Sequence, residues 1–393
     1  MLEIKDKIKC CGCSACSEAC KKNCITMQED NEGFLYPHID VEHCVDCGIC
    51  EKVCPVLNAE KEKVNPEQIA VIVQHKNTEV LEQSTAGGAF TAIAEYILDN
   101  NGVVFGVAFT DDYTVKHTYI TSKDELFKFR NSKYVQSDTA GTFKQAKDFL
   151  DEGRLVCYSG TPCQIEGLRH FLRKDYENLV LVDVVCHAVP SPGLWRKYLN
   201  IFSENNGDIA SIRFRDKALG YQYSTMEIKN KNGKIYRGGL ESQLWMRMYF
   251  SSMIIRPSCT ACAFKKQYRN SDFTIWDCFN LHSIDKDFDE NCGTTRVLIH
   301  SIKGKKIFDS VKNNIKYKVI PVDLAVKGVY ELVKSHPSNP LREQFFKDAE
   351  KLEPEVLFNK YFPYGIKLKI KKGARLVLNR MGLDVKLKHI LKK

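Results

Sequence analysis

The chemistry of this chain is concentrated in one cysteine ladder written twice: Cys10, Cys13, Cys16 and Cys20, then Cys44, Cys47, Cys50 and Cys54, each spaced C-x2-C-x2-C-x3-C. Three thiolates at i, i+3 and i+6 on a tight loop cap three irons of one cubane. The fourth, carried off on a following helical turn, reaches the other cluster. The ligand sets are therefore expected to cross. Cys10, Cys13 and Cys16 would join Cys54 on one [4Fe-4S] cluster, and Cys44, Cys47 and Cys50 would join Cys20 on the other. Zinc is the bland alternative, but zinc takes its ligands as two separated pairs and has no use for a three-rung ladder.

This is the spacing of a two-cluster ferredoxin, an α+β module expected over residues 1–57. Pro55 follows Cys54 as in the ferredoxin run, whereas Lys21 stands where the first copy would carry its proline. Cys11 and Cys24 fall off the ladder and read as spare thiols. The 393 residues leave the module attached to one large domain or two smaller ones. Seventeen cysteines would suit a small secreted disulfide scaffold, but the chain opens Met1-Leu2-Glu3-Ile4-Lys5-Asp6 without an apolar signal, so a reducing, cytoplasmic setting is expected. No run approaches the ~18 apolar residues of a membrane span. The net charge is +9, and the last 27 residues hold ten Lys or Arg against Asp384 alone, so all of the excess lies in that tail. A neutral body argues against nucleic-acid binding, which would place a basic face within the fold.

Between ladder and tail, residues 58–68 (NAEKEKVNPEQ) read as a linker and 69–363 as an α/β domain. Apolar strands at Ile69–Gln74, Gly102–Phe109, Tyr113–Thr121, Arg154–Tyr158 and Leu179–Val185 alternate with helices at Gly87–Asp99, Ala140–Leu150, Gln164–Leu172 and Ser191–Phe202. That alternation implies βαβ units around a largely parallel or mixed sheet. Beyond Asp208 the pattern is more strand-rich and irregular, with a helix near Lys305–Asn313. Two strand-to-helix turns are built to approach an anion: Ser84-Thr85-Ala86-Gly87-Gly88 and Ser159-Gly160-Thr161-Pro162-Cys163-Gln164. Either alone reads as an N-cap; together they point to a nucleotide-type cofactor, although neither is G-x-G-x-x-G.

Tyr158 to Leu168 (YSGTPCQIEGL) and Val185 to Ser191 (VCHAVPS) resemble the coenzyme F420 hydrogenase/dehydrogenase beta-subunit family, as do Ser84 to Phe90, Ser132 to Asp138, Phe214 to Lys217 and Cys259-x2-Cys262. The resemblance implies a flavin-binding α/β domain joined to ferredoxin-type clusters, often with a further [4Fe-4S] cluster. It also implies electron transfer between F420 and iron-sulfur carriers. On that basis Ser84, Thr85, Gly87, Gly88, Ser132, Lys133, Ser159, Gly160, Thr161 and Gln164 are expected around FAD, with Lys133 offering a cation to a phosphate. One departure stands out. Where the family tends to read Asp-x-Thr-x-Gly-Asp-Phe-Trp-Gly, this chain has Asp272 to Asn280 (DFTIWDCFN), with both glycines gone and Asp277 kept.

Cys259 and Cys262 form a ligand-type pair that needs two partners, and Cys163 and Cys186 both fall just past predicted parallel strands, where α/β sheets gather their sites. These four are the expected ligands of a third [4Fe-4S] cluster. Cys278 and Cys292 are substitutes, His187 a hydrogen-bonding neighbour and Cys157 core. The resulting expectation is an iron-sulfur flavoprotein oxidoreductase working with a redox partner protein or subunit and a small hydride carrier or substrate. The rival is a non-catalytic electron-carrier or accessory subunit without flavin; relatives of this kind also occur in bacterial surface-polysaccharide gene neighbourhoods. The basic tail, 364–393, pairs a segment that alternates over Ile366–Lys371 with an amphipathic run over Leu383–Leu391, and suggests reversible attachment to an anionic membrane.

Overall fold

The structure, a computed structural model, describes residues 6–279, 281, 284, 285, 288 and 291–381. The ladder comes first. Gly12 and Asp46, and likewise Ser14 and Gly48, hold positive φ, so both copies bend through the same left-handed positions before short helices at Ala15–Ala19 and Ile49–Lys52. A hairpin of β1 (Ile25–Glu29) and β2 (Leu35–Ile39) joins the copies. Asp30 Oδ1 closes its turn by accepting from the Glu32 and Phe34 amides.

The α/β domain holds an eight-stranded sheet and a three-stranded one. In chain order its strands are β3 (Ile69–His75), β4 (Val103–Phe109), β5 (Val115–Ile120), β6 (Val156–Gly160), β7 (Leu179–Val184), β8 (Ile209–Asp216), β9 (Thr225–Asn230), β10 (Ile235–Gly238), β11 (Phe273–Asp277), β12 (Thr295–Ile299) and β13 (Ile315–Ile320). The large sheet runs β13-β3-β12-β11-β7-β6-β4-β5 and the small one β10-β9-β8. Only β11, β7, β6 and β4 are mutually parallel; β5 on one side and β12, β3 and β13 on the other pair antiparallel. The sheet is therefore mixed. Its apolar strands carry almost no exposed surface: Val71, Val104, Val180 and Phe273 are buried against the helix Ala89–Asp99. A second core around Trp195, Phe214 and Trp245 packs the small sheet against the helices Pro192–Asn206 and Leu244–Phe250.

Predicted elements shift by a few residues. The helix expected from Gly87 begins at Ala89, because Gly88 is its left-handed N-cap (φ 78°). That expected at Lys305–Asn313 runs Ile302–Val311. Residues 58–68 are more tied down than a bare linker: Glu62 accepts from the Gln267 and Tyr268 amides, and Asn65 donates to the His300 carbonyl. Alternation leaves the start of the tail open as a strand or an adaptable segment. Its alternating piece is no strand but the start of a helix, Ile366–Arg380, since isolated alternation without a partner strand gives the backbone no ladder to join. Arg375 pins that helix to Glu241 at 2.6 Å, and Asn379 donates to the Leu219 carbonyl. The amphipathic run at Leu383–Leu391 lies outside the described residues. No helix among the described residues is long and apolar enough to cross a membrane.

Candidate redox centre

The ladder thiols gather at two places, with Cys16 touching both. Cys10, Cys13, Cys16 and Cys54 line one cavity, the inner site, so Cys54 of the second copy lies beside the first three rungs of the first. Cys20, Cys44 and Cys50 pack together at the outer site, where Cys47 is exposed. Burial, with repulsion from Cys10 and Cys54, pushes Cys16 up to about 12. Thiols crowded in this way release their protons when a metal centre binds. Tetrahedral zinc would hold its sulfurs about 3.8 Å apart. Among the described residues the one group of ligand atoms all within 4.8 Å of one another is His187, Glu331 and His336, with no cysteine in it. A three-rung ladder of thiols, written twice, suits a cubane better than a single ion.

The spare thiols are not idle in position. Cys24 Sγ lies 3.3 Å from Cys20 Sγ. Cys11 is buried and lines both the inner ladder cavity and a second small cavity. That second cavity is also walled by Cys163, Cys186, Cys259 and Cys262, so the four cysteines singled out from sequence do converge. Cys163 opens the helix Pro162–Leu172 after β6, Cys186 follows β7, and the pair sits in a one-turn segment, Pro257–Ala261, and its end. Burial and mutual repulsion push Cys259 up to about 12. Cys278 and Cys292 lie elsewhere. Cys278 is packed beside Ile72 and Leu298 with Arg296 on its sulfur, and Cys292 accepts from Gln74. Cys157 is core.

A larger cavity of about 300 Å³ opens at the C-terminal ends of the parallel strands. Its wall includes Ser84, Thr85, Gly88, Ser132, Lys133, Ser159, Gly160, Thr161 and Gln164. Gly87 is absent from that wall. Its amide donates to Thr295 Oγ1, and a Cβ there would lie 2.0 Å from the Val73 carbonyl, so it is a glycine for close strand packing. Thr85 and Ser132 hydroxyls touch at 3.0 Å, and the Ser132 amide donates to Thr85. Thr161 and Gln164 form a capping box, and Gln164 donates onward to Ser137. Ser137 donates to His117 Nδ1, whose Nε2–H donates to the Ser159 carbonyl. Burial lowers His117 to about 4, which keeps the ring neutral and suits that tautomer.

The cations are arranged differently from expectation. Lys133 Nζ donates to the Lys128 and Arg130 carbonyls, and burial pushes it down to about 7. Arg130, not foreseen, lines the same wall, holds Gln83 with one nitrogen, and keeps a buried Nε with no partner. Asp277 also lines the cavity and accepts from Arg215 at 2.9 Å and Tyr221 at 3.0 Å. Trp276, where the family tends to have glycine, is part of the wall with its Nε1 buried and unpartnered. The large cavity and the four-cysteine cavity share the segment Cys186 to Val189.

Comparison with known proteins matches the chain in three consecutive segments. Residues 9–58 match the 4Fe-4S dicluster domain, residues 70–144 the N-terminal and residues 153–324 the C-terminal family of the coenzyme F420 hydrogenase/dehydrogenase beta subunit. One component of the F(420)H(2) dehydrogenase of Methanosarcina mazei is 22% identical over 184 residues, 44% of this chain and 51% of that protein. This chain thus aligns with about half the length of that relative. A ferredoxin of Mycolicibacterium smegmatis is 35% identical over 22% of this chain and 72% of its own length. A chain of the F420-reducing [NiFe] hydrogenase complex from Methanosarcina barkeri overlaps 78% of this chain and 94% of its own with TM-score 0.44 at 15% identity. With a dicluster module in front of both halves of the family's domain, this chain belongs to the coenzyme F420 hydrogenase/dehydrogenase beta-subunit family, as an iron-sulfur redox protein.

Proposed function

We propose that this protein is a flavin-dependent iron-sulfur oxidoreductase that binds FAD in the 300 Å³ cavity and exchanges electrons between a hydride carrier or substrate and a partner redox subunit. Coenzyme F420 is the first hydride carrier to test, as relatives with that dependence share the family domains. The observation that carries the reading is the run of shared walls: Cys11 between the inner ladder site and the four-cysteine cavity, then Cys186 to Val189 between that cavity and the large one.

Bound flavin would supply the junction between one-electron and two-electron chemistry. The chain's own residues would do the rest. The free amides at the start of helix Ala89–Asp99, with the Thr85 and Ser132 hydroxyls, would receive a phosphate. Arg130 and Lys133 would provide positive charge beside it. Neutral His117 would hold the Ser159 turn in place without adding charge near the ring. Cys163, Cys186, Cys259 and Cys262 would hold a third [4Fe-4S] cluster between ladder and flavin.

Anaerobically isolated protein should therefore be brown-yellow, carry about twelve iron atoms for three cubanes, and release FAD on denaturation. Reduced F420 should bleach the flavin band. Protein with about eight iron atoms would exclude the third cluster. Protein loaded with iron but taking up no added FAD would support the accessory-subunit reading, which Trp276 in the cavity wall favours.

A further inference from the structure

Arg256 is a fully buried residue, 0% exposed, without a carboxylate partner among the described residues. Its Nε donates to the Cys10 carbonyl at 2.8 Å, Nη1 to Gln136 at 3.0 Å, and Nη2 to the Leu35 carbonyl at 2.9 Å and the Cys10 sulfur at 3.6 Å. Its guanidinium carbon lies 4.2 Å from the Tyr36 ring centroid. Gly12 makes room for it: a Cβ there would sit 2.6 Å from Nη1. Carbonyls and rings satisfy the donors, yet they do not neutralise the charge. Arginine does not shed its proton in a protein, so a dry guanidinium of this kind calls for an anion.

The surroundings indicate which anion. Cys10 belongs to the inner ladder site, Cys259 lies three residues downstream, and Cys10, Cys11, Cys163 and Cys259 all interact electrostatically with this guanidinium. A cubane held by four thiolates is a net anion, and it gains one more negative charge on reduction. We propose that Arg256 is the shared counter-charge of two iron-sulfur sites, the inner ladder site and the site of Cys163, Cys186, Cys259 and Cys262. By that placement it draws electrons inward from the outer ladder site of Cys20, Cys44, Cys47 and Cys50. The second half rests on the third-cluster reading above; the first half does not.

The sign follows from electrostatics. A fixed cation favours the more negative, reduced form, and a donor on a ligand sulfur acts in the same direction, so both raise the reduction potential of the sites they touch. The outer site lacks such a contact with Arg256 and serves as an internal reference.

The test is an EPR-monitored redox titration of the full-length, anaerobic protein as Arg256→Gln and Arg256→Lys, with signals assigned through Cys16→Ser for the inner site and Cys47→Ser for the outer. Arg256→Gln should shift the one-electron equilibrium between inner and outer sites at least tenfold toward the outer, which is about 59 mV. Arg256→Lys should recover most of that shift. An unchanged inner midpoint in the Gln protein at full iron content, or equal shifts of both signals, would overturn the proposal. Should the Gln protein lose its inner iron, the Lys protein decides. Iron and potential restored by Lys support the charge, whereas equal loss in both shows that only the shape of the side chain mattered. Wild-type protein without a third signal would remove the C-terminal site and leave the inner-site measurement standing.

Discussion

Gly167 offers the sharpest test of how the ladder is seated. It lies inside the helix Pro162–Leu172, where glycine is a poor choice: alanine there should stabilise the helix by about 1 kcal/mol. A Cβ at this position, however, would lie 2.8 Å from Cys13 Cβ, 2.9 Å from Cys13 Sγ and 3.4 Å from Phe143. Carbon contacts relax near 3.5 Å, so Cys13 would have to retreat by roughly 0.7 Å. Overpacking of this kind costs about 1–3 kcal/mol, which outweighs the helical gain and leaves a net loss of about 1 kcal/mol. Because the displaced residue is a ladder cysteine, the damage should be local. Gly167→Ala should bleach faster than wild type under an iron chelator and lose or alter the inner-site EPR signal, while the outer signal stays. Gly373→Ala, in the helix Ile366–Arg380 with nothing within 4 Å of its added Cβ, is the matched control. A Gly167→Ala protein more resistant than wild type, with both signals intact, would refute the seating of the inner site on this helix.

Cys262→Ala should lower iron by about four atoms and spare both ladder signals. Cys163→Ala should be milder, because Cys11 lines the same cavity; equal loss in the two variants would remove Cys11 as a stand-in ligand. Ser132→Asp, on the cavity wall, should weaken FAD at least tenfold in titrations of flavin-depleted protein, about 1.4 kcal/mol, by setting a carboxylate against a phosphate. Burial holds Lys133 near 7, so anion binding beside it takes up a proton above that pH. FAD affinity should hold steady below pH 7 and fall as pH rises from 7 toward the ordinary lysine range, and Lys133→Met should flatten the profile. The helix Ile366–Arg380 leaves Ile366, Ile370 and Val377 exposed on one face among lysines. Full-length protein should therefore co-sediment with anionic liposomes in a salt-sensitive way, and protein ending at Pro363 should not.

The ladder was legible because its chemistry is local. Cluster ligands at i, i+3 and i+6 must sit on one loop, so spacing alone reports them, and positive φ at Gly12, Ser14, Asp46 and Gly48 in both copies shows the repeat carried into the backbone. Most strands and helices from Ile69 to Asn206 were legible for a similar reason, since each buries a face whose period is written in consecutive residues, whereas the short helix Thr78–Gln83 and the hairpin Ile25–Glu29 with Leu35–Ile39 were not. Periodicity fails where a partner decides the outcome. Ile366 to Lys371 alternates like a strand, yet no strand among the described residues pairs with it and it coils into a helix.

Sequence by itself determined that this chain carries a two-cluster iron-sulfur module ahead of an α/β domain, and it marked the cysteines and turns that would matter. Tertiary structure alone decided which of them meet. The walls of the four-cysteine cavity come from Cys11, Cys163, Cys186, Cys259 and Cys262, spread over some 250 positions, and no local spacing encodes that meeting. Gly87 and Gly88 are neighbours of one type in sequence. Only packing against Val73 and Thr295 separates the first, a strand contact, from the second, an N-cap on the cavity wall. Arg256 shows the limit most plainly. In sequence it is one arginine before a proline, and its lack of a counter-charge exists only once folding has taken it out of water and set it against Cys10, because the cost of a lone charge depends on what surrounds it.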